Sequence, residues 1–304
     1  MKVLNASHLA DTGGNGHRTA AAFRKLAPDV EYRFTARQIN WLDYPVDLPW
    51  DDALAAWRAA DVVHVRDGFQ AQQRLGAPDR PTVIHHHGTQ FRLHRDELLE
   101  TQQRRRAIGL AATLDLWLMA PDYLLWAPAL YDLETLWAMR RPQRDGVFRI
   151  AHAPTNRAVK STEAFLRAAD RLGREIPVQV ILIERTPWAE CLRRKARADI
   201  YFDQVGLGYG NNAIEAWGMG QAVVAGAAPA TLDEMCRRFG ELPFVLADEG
   251  SIYEALRSLA DPMFREERAR AGRTHAERFH SEAAGVAMLR RVYDAALERR
   301  AVAA

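Results

Sequence analysis

Short apolar runs recur along the chain at residues 3–5, 62–65, 82–85, 114–119, 150–152, 178–183, 200–202 and 222–225. Most are continuous rather than alternating, which predicts parallel strands covered on both faces. Between them, residues 17–26, 50–59, 162–172 and 212–219 carry helix-compatible patterns. Strand alternating with helix is the pattern of a doubly wound parallel sheet, an α/β fold. Eight strands exceed one small open sheet, so they divide into two sets. The polar stretch 139–146, with Pro142 and Gly146, lies just before a new strand at 147–151 and reads as the linker. The expected organisation is one α/β domain over 1–142, a second over 147–280, and a final helix over 281–304. Everything after Ser251 reads as helix. The last segment sets Val286, Leu289, Val292, Tyr293 and Ala296 on one stripe, ready to pack on a neighbour.

Composition changes this picture little. A 304-residue chain with 48% apolar and 26% charged residues has enough material for two cores. Acids and bases nearly cancel at a net charge of +2, which gives no support to a nucleic-acid partner. The basic clusters 104–106 and 193–195 read as solvated helix faces. Cys191 and Cys236 are the only cysteines, too few for a disulfide framework or an unaided zinc site. Residues 1–9 read as a first strand rather than a signal peptide, and no run reaches the roughly 18 apolar residues of a membrane span. A soluble, cytoplasmic protein is expected, with peripheral membrane contact left open.

Four stretches carry candidate chemistry. Thr12-Gly13-Gly14-Asn15-Gly16 follows the opening strand and precedes a helix, so glycines and exposed amides there suit an anion or a sugar oxygen. A plain strand-to-helix turn fits equally well, and the pattern is not the dinucleotide-binding fingerprint. His85, His86, His87 and Gly88 close a parallel strand, the edge where ligands bind in open α/β sheets. Alternation lets only His85 and His87 share a side, and a third metal ligand is lacking. Next, residues 150–161 run from a strand into a loop with Arg157 and Lys160, while Ser161 is placed to cap the following helix. Two cations at a helix start suit a diphosphate. Finally, residues 203–224 pass from a strand through Gly206, Gly208, Tyr209, Gly210, Asn211 and Asn212 to a short helix with Glu215 in its first turn. Glu215 would accept from a ribose diol, or it would complete a capping box with Asn212; spacing leaves both readings open.

Residues 150–279 resemble the C-terminal domain of retaining, family-4-like glycosyltransferases of the GT-B fold. The loop bearing Arg157 and Lys160 resembles that family's diphosphate site. Gly208-Tyr209-Gly210 through Glu215-Ala216 and on to Gly218 and Gly220 resembles its aromatic-glycine loop and glutamate-alanine signature. Gly13-Gly14 resembles the glycine loop near the donor phosphates, and His87-Gly88 the active-site histidine. The resemblance implies two Rossmann-like domains facing each other across a cleft, with the last helix crossing back to the N-terminal domain. It implies hexosyl or related glycosyl transfer from a nucleotide diphosphate sugar, with retention and with neither metal nor cofactor. In it, His87, Arg157 and Lys160 are catalytic. Gly13, Gly14, Asn15, Arg157, Lys160, Gly208, Tyr209, Gly210, Asn211, Asn212 and Glu215 bind the donor. His85, His86 and Asp203 are secondary candidates. The acceptor, whether glycan, lipid, small molecule or nucleic acid, is not identified. One departure stands out: the family's first glutamate, eight positions before Glu215, is Leu207 here. That keeps two alternatives in view, a catalytically impaired nucleotide-sugar-binding or regulatory protein and another GT-B enzyme such as a sugar-nucleotide epimerase.

Overall fold

A computed structural model describes residues 1–9, 13–37, 44–66, 68–143 and 145–301. Two compact units emerge, Met1–Leu130 with Glu282–Ala304, and Tyr131–Ser281.

In the first unit, strands β1 (Lys2–Ser7), β2 (Glu31–Ala36), β3 (Val62–Arg66), β4 (Thr82–His86), β5 (Ile108–Ala111) and β6 (Leu124–Trp126) alternate with helices α1 (Asn15–Leu26), α2 (Ala53–Ala59), α3 (Gln70–Leu75), α4 (Gly88–Arg104) and α5 (Leu114–Leu118). The sheet is parallel throughout, in the order β2-β1-β3-β4-β5-β6.

The second unit opens with α6 (Leu133–Met139) and continues β7 (Phe148–His152), α7 (Thr162–Gly173), β8 (Val178–Leu182), α8 (Trp188–Lys195) and β9 (Ile200–Phe202). Then come β10 (Leu207–Gly208), α9 (Asn211–Gly218), β11 (Ala222–Ala227), α10 (Pro229–Phe239), β12 (Val245–Leu246), α11 (Ile252–Ser258) and α12 (Pro262–His280). Its sheet runs β10-β11-β9-β7-β8, with β12 also on β11; only the β10–β11 pair is antiparallel. The last helix, α13 (Glu282–Ala301), returns to the first unit. No described helix is long and apolar enough to cross a membrane.

The stripe on α13 is buried as a set: Val286, Leu289, Val292, Tyr293 and Ala296 join Phe23, Val30 and Val62 in one core. Burial of each of the larger side chains is worth about 1.5–3 kcal/mol. The Tyr293 hydroxyl lies 2.8 Å from Nδ1 of His64 on β3, so a polar contact fixes the helix's rotation as well as its burial.

Three expectations change. Within 114–119 the chain forms α5 (Leu114–Leu118), not a strand; the strand is β5, a few residues earlier. Asp115 in the first turn is held by Arg92 and by the Thr113 hydroxyl, and Leu114 and Leu116 are both buried. The edge strand β2 carries alternating polar residues and so lacks the continuous apolar signal. The switch between units comes at Leu130, ahead of the polar 139–146 stretch. The reason is α6: a Cβ on Gly218 would lie 2.6 Å from Leu136, and one on Gly220 2.5 Å from Trp137. Those two glycines therefore leave room for α6 to seat against α9, drawing it into the second unit.

Candidate functional site

In an open parallel sheet, ligands gather at the carboxyl ends of strands where the winding reverses. In the second unit the reversal lies between β7 and β9, since the chain goes from β7 to β8 on one side and then to β9 on the other. The loops that leave those two strands carry Lys160 and Asp203. The Lys160 ammonium sits 2.8 Å from Oδ1 of Asp203, which is fully buried, and Oδ2 accepts the Gly210 amide at 2.6 Å. A Cβ at 210 would stand 3.7 Å from that ammonium, so the glycine keeps the approach to it narrow but unobstructed.

His152, at the end of β7, braces this corner. Its Nδ1 lies 2.9 Å from the Phe202 carbonyl, which only accepts, so Nδ1 carries the proton. Nε2 then accepts from the Thr162 hydroxyl at 2.8 Å, joining β7, β9 and the start of α7. Ser161 makes no side-chain cap, contrary to expectation; its φ of 47° places it in the left-handed region. Instead the Asn156 side chain accepts from the amides of Ala158 and Val159 at 3.0 and 3.2 Å and shapes the loop. Arg157 does not share Lys160's carboxylate: it pairs with Glu163 at 2.9 Å and Glu184 at 3.1 Å.

Glu215 stands in the second turn of α9, not the first, and forms no capping box. It is 3% exposed. One oxygen accepts from the Trp188 indole at 3.0 Å, and the other pairs with the ammonium of Lys195, which is wholly buried and also donates to Asn212. The 193–195 cluster is thus not simply a solvated face, because its last member points inward. Burial pushes the Lys195 ammonium down, but Glu215, Cys191 and Asp203 together more than reverse this, and the net direction is up. Asn212 also donates to the Ala153 carbonyl at 3.1 Å, linking α9 to the loop after β7. Tyr209 faces the interior: its hydroxyl lies 2.9 Å from His275 and 3.1 Å from His280, and its ring meets Trp217 edge-on. Gly208 (φ 81°) turns the chain before it, and Asn211 opens α9. Leu207 lies in β10, opposite Ala227.

In the first unit the winding reverses between β1 and β3. Gly13 and Gly14, after β1, take φ of 85° and 65°; Thr12 lies outside the described residues. A Cβ on Gly14 would press on Tyr44 at 2.5 Å. Asn15, buried at the start of α1, accepts from Arg18 at 2.7 Å. His87 follows β4, and its Nδ1 lies 2.9 Å from the His85 carbonyl and therefore carries the proton. Its Nε2 accepts from Arg66 at 3.2 Å and faces the Asn15 amide at 3.4 Å. Burial first, then His85 and Arg66, hold His87 well below the usual histidine range, so it is neutral at physiological pH. Gly13–Asn15 and His87 are thereby brought to one strand edge. His85 bonds the Ala127 carbonyl and His86 the Gln102 side chain; both are interior packing groups.

Arg66, Lys195 and Trp188 escaped the sequence reading. Arg66 ends a strand beside the reversal point, a position that could have marked it. Nothing local distinguishes Lys195 from its solvated neighbours, because its partner lies twenty residues on.

The buried imidazoles predict a pH response. Burial lowers His86 and His152 to about 4 and His85 to about 3, against 6.5 when unfolded. Below pH 6.5 the unfolded chain binds protons the folded one refuses, so their contribution is complete above 6.5 and falls as pH drops through about 4. Each such group adds up to about 1.4 kcal/mol per pH unit. The melting temperature should decline steeply from pH 6.5 to 4; a flat profile there would contradict neutral buried imidazoles.

No family model matches the chain, and no curated protein does. Solved structures do. An alpha-glucosyltransferase in complex with UDP and a mismatch-containing DNA superposes with TM-score 0.70 at 11% identity, covering 97% of this chain and 100% of its own. Anabaena HepE in complex with UDP and glucose gives 0.68 at 12%, covering 97% and 99%. A glycosyltransferase from Rickettsia africae gives 0.64 at 10%, covering 97% and 98%. The chain has the fold of these structures, GT-B, with two Rossmann-like α/β domains, as the residue pattern led one to expect.

Proposed function

We propose that the chain transfers a glycosyl group from a nucleoside diphosphate sugar to an acceptor, with retention and without a metal ion. The observation that carries this reading is the Lys160 ammonium, fixed by buried Asp203 at the reversal point of the second sheet, beside the Gly210 amide and the start of α9. A cation held in place by a buried carboxylate needs no reorganisation to meet charge as it develops on a leaving diphosphate. Arg157 reaches the same ligand by exchanging Glu163 or Glu184 for phosphate. Glu215 binds the ribose through the lone pairs that Trp188 and Lys195 leave, and His87 accepts a hydrogen bond from the donor sugar or the acceptor at Nε2 in exchange for the one from Arg66. Retention follows from the family resemblance of residues 203–224.

Uridine diphosphate sugars are the first donors to try, since the similar alpha-glucosyltransferase and HepE structures contain UDP. A thermal-shift panel of nucleoside diphosphates and their sugars should give one base a clear rise in melting temperature. An assay for released nucleoside diphosphate and for the product's anomeric configuration completes the test. No shift with any base would sink the proposal.

A second reading, a nucleotide-sugar binder without turnover, rests on Leu207. Asp203 was the available substitute for the missing carboxylate, but both its oxygens are engaged by Lys160 and Gly210. Binding with no diphosphate release from any donor would favour this reading.

A further inference from the structure

We propose that the first unit has a second anion site, at the opposite edge of its sheet from His87, which takes a compact, multiply charged phosphate compound. The site is a cavity of about 280 Å³ whose walls include Arg80, Arg104, Arg105, Arg106 and Arg299. It also touches Thr82, the first residue of β4, whereas His87 follows the last. At about 3.3 Å per residue the two ends of that strand are roughly 13 Å apart, so one small ligand cannot occupy both.

The charge balance decides the class of ligand. Asp79 is the one carboxylate in the wall, and Arg105 bonds it at 3.2 Å while lying 4.4 Å over the Phe69 ring. Among the described residues, no carboxylate pairs with Arg80, Arg104, Arg106 or Arg299. Arg80 donates to the Arg58 carbonyl, and its Nε–H is buried with no partner. Basic residues commonly answer the negative end of a helix, and α4 and α13 both end near here. Two helix ends amount to about one negative charge between them, against four guanidiniums with no carboxylate partner among the described residues. The excess is strongly positive.

Arg106 adds an independent sign. Just past α4 its φ is 53°, a left-handed position that favours glycine, yet the residue is arginine. Arg104, Arg106 and Arg299, all exposed, line one small hollow together with the half-buried Arg80. A nucleic-acid backbone needs contacts spread over several phosphates, so the geometry favours a di- or triphosphate group over a polymer.

The test uses inorganic pyrophosphate, titrated calorimetrically into the full chain carrying Lys160→Ala, so that the proposed donor cation makes no contribution. Pyrophosphate should still bind, and Arg106→Gly and Arg299→Gln should each weaken it about tenfold. Arg106→Gly relieves the left-handed backbone, so its melting temperature should hold or rise while binding falls, which separates lost binding from lost folding. Three results overturn the proposal: no pyrophosphate binding in the Lys160→Ala chain, binding indifferent to both arginine substitutions, or length-dependent binding of an oligonucleotide where pyrophosphate does not bind.

Discussion

Replacing Lys195 by alanine is expected to lower stability by about 3–5 kcal/mol, because the Glu215 carboxylate would remain buried without its counter-charge. Neither side chain reaches solvent appreciably, at 0% and 4%. Among the described residues the Trp188 indole would remain as the donor to Glu215, and a neutral N–H does not replace an ammonium. Removing both charges together, as Lys195→Met with Glu215→Leu, should recover most of the loss, since a well-packed apolar pair commonly matches a buried ion pair. Urea unfolding of the three variants measures this directly. A cost below about 1 kcal/mol for Lys195→Ala would mean that the two groups do not share a dry site. The double variant also bears on function: a folded protein lacking Glu215 should bind nucleoside diphosphates more weakly if that carboxylate holds the ribose.

The second large effect concerns Lys160. Its replacement by alanine should weaken nucleoside diphosphate binding by roughly 10- to 150-fold, the range for one charge-assisted hydrogen bond, and depress turnover at least as much. Asp203 would keep only the Gly210 amide, so some stability is lost too, and affinity must be measured where the variant is fully folded. Lys160→Arg is the useful companion, because it restores charge without the same point geometry and should recover affinity in part. Unchanged donor affinity in Lys160→Ala would remove the diphosphate assignment, whatever became of the melting temperature.

Both predictions rest on lysines, and they differ in how visible they were. Lys160 follows a strand end and precedes a helix, so local pattern alone marked it as a candidate. Lys195 sits among Arg193 and Arg194 and has the local signature of a solvated helix end. Its burial comes from Tyr201, Asn212 and Glu215, which reach it from other elements. The same contrast separates the glycines. The sequence leaves Gly13 and Gly14 open between a ligand-approaching loop and a plain strand-to-helix turn, and their left-handed φ values belong to a turn only glycine makes easily. Gly218 and Gly220 belong to a family-like signature, yet the space a Cβ on either would need is taken by Leu136 and Trp137 of α6.

The alternation of apolar runs with helical stretches was sufficient, by itself, to determine a two-sheet α/β chain and the strand ends that carry the candidate residues. Both follow from local rules of burial and periodicity, which act within a few residues. Tertiary structure alone decided that α6 joins the second unit, that Tyr209 faces inward and that Arg157 and Lys160 answer different carboxylates. It also decided that Glu215 is paired with Lys195 rather than capping its helix. Each depends on partners at least six and mostly twenty or more residues away, brought together by packing, and no local pattern encodes which distant carboxylate a cation will meet.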